Sequence, residues 1–199
     1  MKLRAILLAL PLTVLCAACD ETDVVAVRLH VNRDFSGTLS ASALEKAGEA
    51  TRPPISGAGM NWKSRVNLLC ATGEFARLGQ LTLSDLSLSA GEGEGGLCFL
   101  RVSLPRGTDV HWARELVPLN STERKDATAA FDPSGAADDV GSTLKFEVTL
   151  PADAIGNGVT GRTRGTKVKA EGNVATLVVP VETALSPGDP IVWHLTWQK

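Results

Sequence analysis

The segment that decides the fold covers residues 144–151 and reads LKFEVTLP. Every second side chain is apolar, the polar ones between them are Lys145, Glu147 and Thr149, and the run stops at Pro151. Successive side chains of a β-strand point to opposite faces of the sheet. The segment therefore predicts a strand with one buried face and one polar face.

The chain after this segment predicts more strands. Residues 166–170 and 174–179 flank a tight turn at Gly172 and form a hairpin, and the glycine-rich residues 155–165 are predicted as a loop. Residues 181–185 are predicted to coil briefly. The final strand carries four apolar residues on one face, Ile191, Trp193, Leu195 and Trp197. Trp193 and Trp197 could line an apolar groove for acyl chains, but we favour a core face that closes the sheet.

The N-terminal part predicts a second hairpin. Apolar residues alternate over 25–31 and again over 38–44, and the six residues NRDFSG between them are typical of a turn. Val27 and Leu29 belong to the apolar face of the first strand, and Leu39 and Ala41 to that of the second.

The middle of the chain is less regular. Residues 45–64 are predicted as a loop, 65–71 as a strand, and 72–78 as a turn or short helix. Residues 81–88 are predicted as a strand with a bulge near Asp85, or as a loose, partly helical segment. The glycines at 91–96 suit a hairpin tip before a central strand at 97–104. Residues 109–116 predict a short helix, and 120–141 a long surface excursion or a boundary between halves.

Together these elements predict the fold class. The protein is expected to be α+β and mostly antiparallel β, with a twisted sheet or two packed sheets and a few short helices. Residues 24–199 are expected to form a single β-rich domain, because their number suffices for one real core.

The first residues predict export. Lys2 and Arg4 precede an apolar run that is too short to span a bilayer, as in a secretory signal. Two alanines then precede Cys19, which resembles the lipobox of bacterial lipoproteins, although Cys16 departs from the usual pattern. We expect residues 1–18 to be a signal peptide, Cys19 to be lipidated and 19–23 to be a tether. Ordinary signal cleavage near residue 18 is the alternative.

This anchor predicts a location. A protein with acyl chains on Cys19 is held on the cell membrane and faces the periplasm or the exterior. Asp20 resembles the inner-membrane retention signal of enteric lipoproteins. The formal net charge of the whole chain is −2, and it becomes more negative once Lys2 and Arg4 are removed. An acidic chain without a basic cluster argues against nucleic acid as a partner and against a polybasic grip on lipid.

Two cysteines remain after the leader and the anchor, namely Cys70 and Cys98. In an exported chain an even number predicts a disulfide between them, with two buried free thiols as the alternative. Neither cysteine belongs to a C-x-x-C pair or lies next to a histidine, which argues against redox or zinc chemistry.

No catalytic constellation is found in the sequence. His30 and His194 lie on the polar sides of predicted strands, and His111 with Glu115 is a weak metal signal. We therefore expect no enzyme activity, no metal and no cofactor. Trp62 lies in a predicted glycine-flanked loop and is the aromatic residue best placed to contact a partner.

Several of these features resemble one family. The hairpin with the NRDFSG turn just after the leader, the Phe146-x-Val148-x-Leu150-Pro151 strand, the Gly172-Asn173 hairpin and the closing Trp strand resemble the LppM-like bacterial lipoprotein domain. The resemblance covers residues 24–44 and 144–197. It implies an α+β lipid-binding domain at the cell envelope without enzymatic activity, and it assigns no residue a role.

Two functions are compatible with the sequence. The first is an anchored, non-enzymatic lipoprotein whose domain binds a lipid or another apolar ligand. The alternative is an interaction or scaffolding lipoprotein that docks an envelope protein partner. A lipid binder needs an apolar concavity of hundreds of Å³. A docking protein needs a filled core and an exposed patch.

Overall fold

The computed structural model describes residues 23–44, 55–56, 61–65, 68–83, 85–110, 143–161 and 164–199. Several predicted features lie outside these ranges: the leader, the expected lipidation site Cys19, His111 with Glu115, most of the helix at 109–116, and the region 120–141. At Trp62 and Cys70 only the backbone is described.

The described residues form mostly strands. They are β1 Asp23–Val31, β2 Gly37–Leu44, β3 Ile55–Ser56, β4 Asn61–Arg65, β5 Leu68–Phe75, β6 Thr82–Leu83, β7 Ser87–Glu92, β8 Leu97–Leu104, β9 Thr143–Thr149, β10 Ala154–Thr160, β11 Lys167–Glu171, β12 Val174–Pro180 and β13 Ile191–Gln198. The helix α1, Val181–Leu185, and two short 3-10 helices at Leu78–Gln80 and Glu94–Gly96 complete the described elements. The prediction of a mostly antiparallel β protein with few helices is confirmed.

The strands form a seven-stranded, a four-stranded and a two-stranded sheet. The first has the order β11-β12-β9-β1-β2-β5-β4, the second β10-β13-β8-β7, and the third pairs β3 with β6. All described pairs are antiparallel except β1 with β9, which is parallel. Strands from before and after residues 111–142 are mixed in both large sheets, so a cut in that region would not separate two cores.

The two large sheets share one hydrophobic core. The inward side chains of β1, β2, β9 and β12 meet those of β8 and β13 in a single cluster. Trp193 and Trp197 on β13 are 0% and 1% exposed. Trp193 Nε1 donates a 2.7 Å hydrogen bond to Asn157 Oδ1, which satisfies the indole inside the core. The alternating pattern that predicted β9 and β13 thus reflects burial of one face.

The β1–β2 hairpin is confirmed, and its turn is held by local hydrogen bonds. The Ser36 hydroxyl and backbone N–H donate to Asp34 Oδ1 at 2.6 and 3.0 Å. These bonds hold the pKa of the Asp34 carboxyl below its ordinary value. The turn requires Gly37, because a β-carbon there would lie 1.8 Å from the His30 carbonyl oxygen.

Some predicted boundaries are wrong. The predicted loop at 155–165 contains β10, where Gly156 lies opposite Thr196 and a β-carbon at 156 would lie 2.3 Å from the Thr196 hydroxyl oxygen. The glycine at position 156 lets the two strands pack closely, and it does not mark a loop. The predicted loop at 45–64 contains β3 and part of β4, and β5 continues through the predicted turn at 72–75. The predicted strand at 81–88 is divided between β6 and β7, which belong to different sheets.

Candidate functional site

The described surface contains a concave region on the outer face of the seven-stranded sheet, which we call the outer groove. Its volume is about 640 Å³, and it is lined by residues of β1, β2, β5 and β9. The side chains that face outward from these strands are Arg28, His30, Thr38, Ser40, Thr72, Glu74, Glu147 and Thr149.

The strand register arranges these residues in two rows across the sheet. One row reads Thr149, His30, Thr38 and Glu74, and the other reads Glu147, Arg28, Ser40 and Thr72. Directly paired residues on one face of a sheet lie about 5 Å apart. The two rows therefore place hydroxyl groups next to acidic and basic side chains, and each row extends across four strands.

Arg28 and Glu147 form the described ion pair of the groove. Arg28 Nε lies 3.7 Å from Glu147 Oε1, and the two side chains are 26% and 30% exposed. A half-exposed pair of this kind contributes about 0–1 kcal/mol to stability. It can still present a planar donor and an acceptor to a binding partner.

The polar side chains that line the groove can donate and accept hydrogen bonds and can pair with charged groups. Among the described residues, no group of three or more His, Cys, Asp or Glu side chains is placed to hold a metal ion. No helix in the described part of the chain is long and apolar enough to cross a membrane.

The four-stranded sheet has a different outer face. Leu97 and Phe99 on β8 are each 40% exposed, and Ile155 on β10 is 64% exposed. The Phe99 ring lies over Gly91, where a β-carbon would be 3.1 Å from the ring. This face combines small and polar residues, among them Arg101, His194 and Thr196, with a few apolar side chains.

Two of the three predicted contact residues lie in the core, the position that we favoured for them from the sequence. Trp193 and Trp197 do not line an open groove, because both are fully buried between the sheets. The side chain of Trp62 is outside the described residues, and its backbone lies in β4 rather than in a loop. The predicted contact at Trp62 therefore stays a prediction.

The predicted disulfide between Cys70 and Cys98 stays a prediction, because the side chain of Cys70 lies outside the described residues. Cys98 is a buried free thiol, and its Sγ lies 3.9 Å from the Gly96 carbonyl oxygen. Its strand β8 belongs to the four-stranded sheet, whereas Cys70 lies on β5 of the seven-stranded sheet opposite Ser42. Burial, followed by the negative charge of Glu92, raises the pKa of the Cys98 thiol.

Sequence reasoning missed the outer groove. The polar residues of each strand were visible, but only the register of the three strands β9, β1 and β2 places Arg28 beside Glu147 and Ser40. A useful signal was available in the polar face of 144–151, where charged and hydroxyl side chains alternate with the core residues.

The comparisons with known proteins give one match to report. No protein-family model and no curated protein matches the chain. Among solved structures, the NMR structure of the folded domain of Mycobacterium tuberculosis LppM matches 90% of this chain and 93% of that chain. The sequence identity is 13% and the TM-score is 0.45. The chain is similar to the LppM domain. The resemblance predicted from the sequence is thus found again among solved structures.

Proposed function

We propose that this chain is a non-enzymatic lipoprotein of the bacterial cell envelope, anchored through Cys19, that docks an envelope protein partner in the outer groove. The leader and the lipobox-like residues before Cys19 support the anchor. The observation that carries the docking function is that described side chains fill the core between the large sheets, whereas the outer groove is lined by charged and hydroxyl side chains together with some apolar surface.

The filled core argues against an apolar ligand. A carrier for acyl chains needs an apolar cavity of hundreds of Å³. Trp193, Trp197 and Leu100 occupy the space between the sheets and are 0–1% exposed. The outer groove has the required volume, but hydroxyl and charged side chains stand along it. A protein surface, which combines polar and apolar groups, fits this mixed lining better than a hydrocarbon chain does.

The groove also indicates what its partner presents. Arg28 and Glu147 place a base and an acid side by side, and Thr38 and Ser40 add hydroxyls on the next strand. Direct hydrogen bonds recur about once per 100–200 Å² in protein interfaces. We expect the partner protein to present a polar protrusion that carries both a carboxylate and a basic group.

Site-specific photocrosslinking in the native envelope tests this proposal. A photoreactive residue replaces exposed Thr38 in the groove of the full chain, and the matched control carries it at exposed Ser89 on the other sheet. A protein adduct of one mass at Thr38 and none at Ser89 is expected. Equal adducts at both positions, or none, would contradict docking in the groove.

The anchor and the lipid alternative are tested separately. Cys19→Ala is expected to leave the membrane fraction, and its retention there would refute the anchor. Native mass spectrometry of the full chain tests ligand binding. A lipid-sized adduct that disappears on organic extraction would support the apolar-ligand function instead.

A further inference from the structure

Most of the large apolar side chains that the described part of the chain exposes lie at one end of the four-stranded sheet. Leu97 and Phe99 on β8 are each 40% exposed, Ile155 on β10 is 64% exposed, and the fourth such residue is Val168 on β11. The first three each lie next to a strand partner of Trp197. Apolar side chains that are exposed together, rather than singly, are typical of binding surfaces.

Six residues around the exposed phenylalanine form what we call the aromatic platform. They occupy two neighbouring rows on the outer face of the sheet, one made of Thr196, Phe99 and Gly91 and the other of His194, Arg101 and Ser89. Paired residues lie about 5 Å apart across the strands, and the two rows are about 7 Å apart along them. Beyond His194, the outward Val192 is only 9% exposed, so the open part of this face ends at the second row.

The ring of the platform is held against strand β7 by a glycine. A β-carbon at Gly91 would lie 3.1 Å from two atoms of the Phe99 ring, so a larger residue there would displace the ring. Because 40% of the Phe99 side chain is exposed, part of the ring surface stays open to solvent. The face of an aromatic ring carries partial negative charge, which attracts C–H groups of positive character. Such a ring can stack against the apolar face of a pyranose sugar.

The charge of the platform is positive. Arg101 is exposed, and no described residue forms an ion pair or a hydrogen bond with its guanidinium group. At the adjoining hairpin tip Glu92 is paired with Lys199. Glu94 precedes Leu97, which is about 13 Å from Arg101 along β8. Since a guanidinium binds a carboxylate through two parallel hydrogen bonds, the platform suits a ligand with a carboxylate beside an apolar ring face.

The platform lies at the end of the domain that is remote from the predicted anchor. The ring of Phe35, in the β1–β2 turn, lies 6.1 Å from the ring of Trp197, which follows Thr196 of the platform. The nine residues of β1 separate this turn from Asp23, where the chain enters the sheet, by about 27 Å. The platform is thus placed to meet polymers of the envelope rather than the headgroups of the anchoring membrane.

We infer that the aromatic platform binds an acidic sugar residue of an envelope polysaccharide. The pyranose ring stacks on Phe99 and Arg101 holds its carboxylate, while His194 and Thr196 lie beside them to form hydrogen bonds with sugar hydroxyls. The choice of an envelope polymer rests on the proposed anchor, whereas the binding chemistry does not. The platform and the outer groove lie on the outer faces of different sheets, so both surfaces can be occupied at once.

Titration with sugars of matched length tests the inference. The full lipidated chain, in a detergent without sugar groups, is mixed with the acidic tetragalacturonate or with the neutral maltotetraose. Saturation-transfer NMR measures binding. The acidic sugar should show transfer to its ring C–H protons and bind about fivefold more tightly than the neutral one. Added salt should remove this difference, because it screens the charge of Arg101.

Matched variants assign the roles of the ring and the charge separately. Phe99→Ala should weaken binding of the acidic sugar about tenfold, whereas Leu97→Ala, equally exposed on the same strand, should not change it. Gly91→Ala should also weaken binding because its methyl group displaces the ring, and Gly158→Ala, with nothing within 4 Å of the new β-carbon, is its control. Arg101→Gln should abolish the preference for the acidic sugar. Thermal unfolding checks that all variants are folded.

The outcomes separate this site from the other proposals. Absence of binding by the acidic sugar, or equal losses in Phe99→Ala and Leu97→Ala, would overturn the platform as a sugar site. Equal affinity for the two sugars would overturn the acidic class of ligand. The anchor is judged by Cys19→Ala and stands if the platform fails. A sugar bound here adds no protein to a cross-link at Ser89, so docking in the outer groove is also tested independently.

Discussion

The two large sheets share one core but have different outer faces. The seven-stranded sheet carries the outer groove, with charged and hydroxyl residues in register, whereas the four-stranded sheet exposes the large apolar residues Leu97 and Phe99 among small and polar ones. Their inner faces are alike, because both are rows of buried apolar side chains. The fold therefore depends on the buried inner faces, which are alike in the two sheets. The proposed functions depend on the outer faces, which differ.

The largest effect is expected where the sheets meet. Trp193→Ala should lower the free energy of unfolding by about 3–5 kcal/mol, because it opens a cavity and leaves Asn157 Oδ1 without its indole donor. Thr196→Ala on the outer face of the same strand should cost less than about 1 kcal/mol. Chemical denaturation measures both. Equal losses of unfolding free energy in the two variants would contradict the distinction between inner and outer faces.

Smaller losses of stability are expected when glycines of the two large sheets are replaced by alanine. Gly37→Ala should cost about 1–3 kcal/mol, since the new methyl group meets the fixed carbonyl oxygen of His30. Gly156→Ala on β10 should cost less, because the Thr196 hydroxyl that it meets can rotate away. Gly158→Ala is the control, with nothing within 4 Å of the new β-carbon. Thermal unfolding measures the stability of the three variants. A larger loss of stability for Gly156→Ala than for Gly37→Ala would contradict this order.

These glycines also show how much the sequence could predict. The alternating patterns at 25–31, 144–150 and 191–197 predicted β1, β9 and β13, because one buried face imposes a period of two. The strand β10 was missed because Gly156 and Gly158 lack the side chains on which that pattern depends. The outer groove was missed for another reason. It exists only through pairing of β1 with β9, whose partners Arg28 and Glu147 are far apart in the chain.

A pH-dependent effect is expected at the β1–β2 turn of the seven-stranded sheet. Because the pKa of Asp34 is lowered in the folded protein, its contribution to stability is present at neutral pH. It is lost as the pH falls through that lowered pKa. Asp34→Asn should therefore be less stable than the parent at neutral pH, and the difference should vanish in acid. Unfolding curves over this range, with Ser36→Ala as a second variant, measure it. A constant difference would be contrary evidence.

The smallest effect concerns the thiol of the four-stranded sheet. Cys98 is buried and its pKa is raised, first by burial, so it should resist alkylation at neutral pH in the native protein and react in urea. Intact-mass spectrometry counts the added groups. If Cys98 stays unmodified in urea and the protein lacks two hydrogen atoms, the predicted disulfide with Cys70 is present instead of the free thiol.

The parallel pairing of β1 with β9 has a consequence for the order in which the chain folds. The hairpin partner of β1 is synthesised at once, but its other neighbour follows more than a hundred residues later, as Val27 pairs with Phe146. Contacts between distant segments slow folding, because a long loop must close before they form. If the chain is exported and anchored through Cys19 as we propose, it would be attached to its membrane before its central sheet could be completed. A polypeptide truncated before β9 would leave the edge of β1 open to other chains.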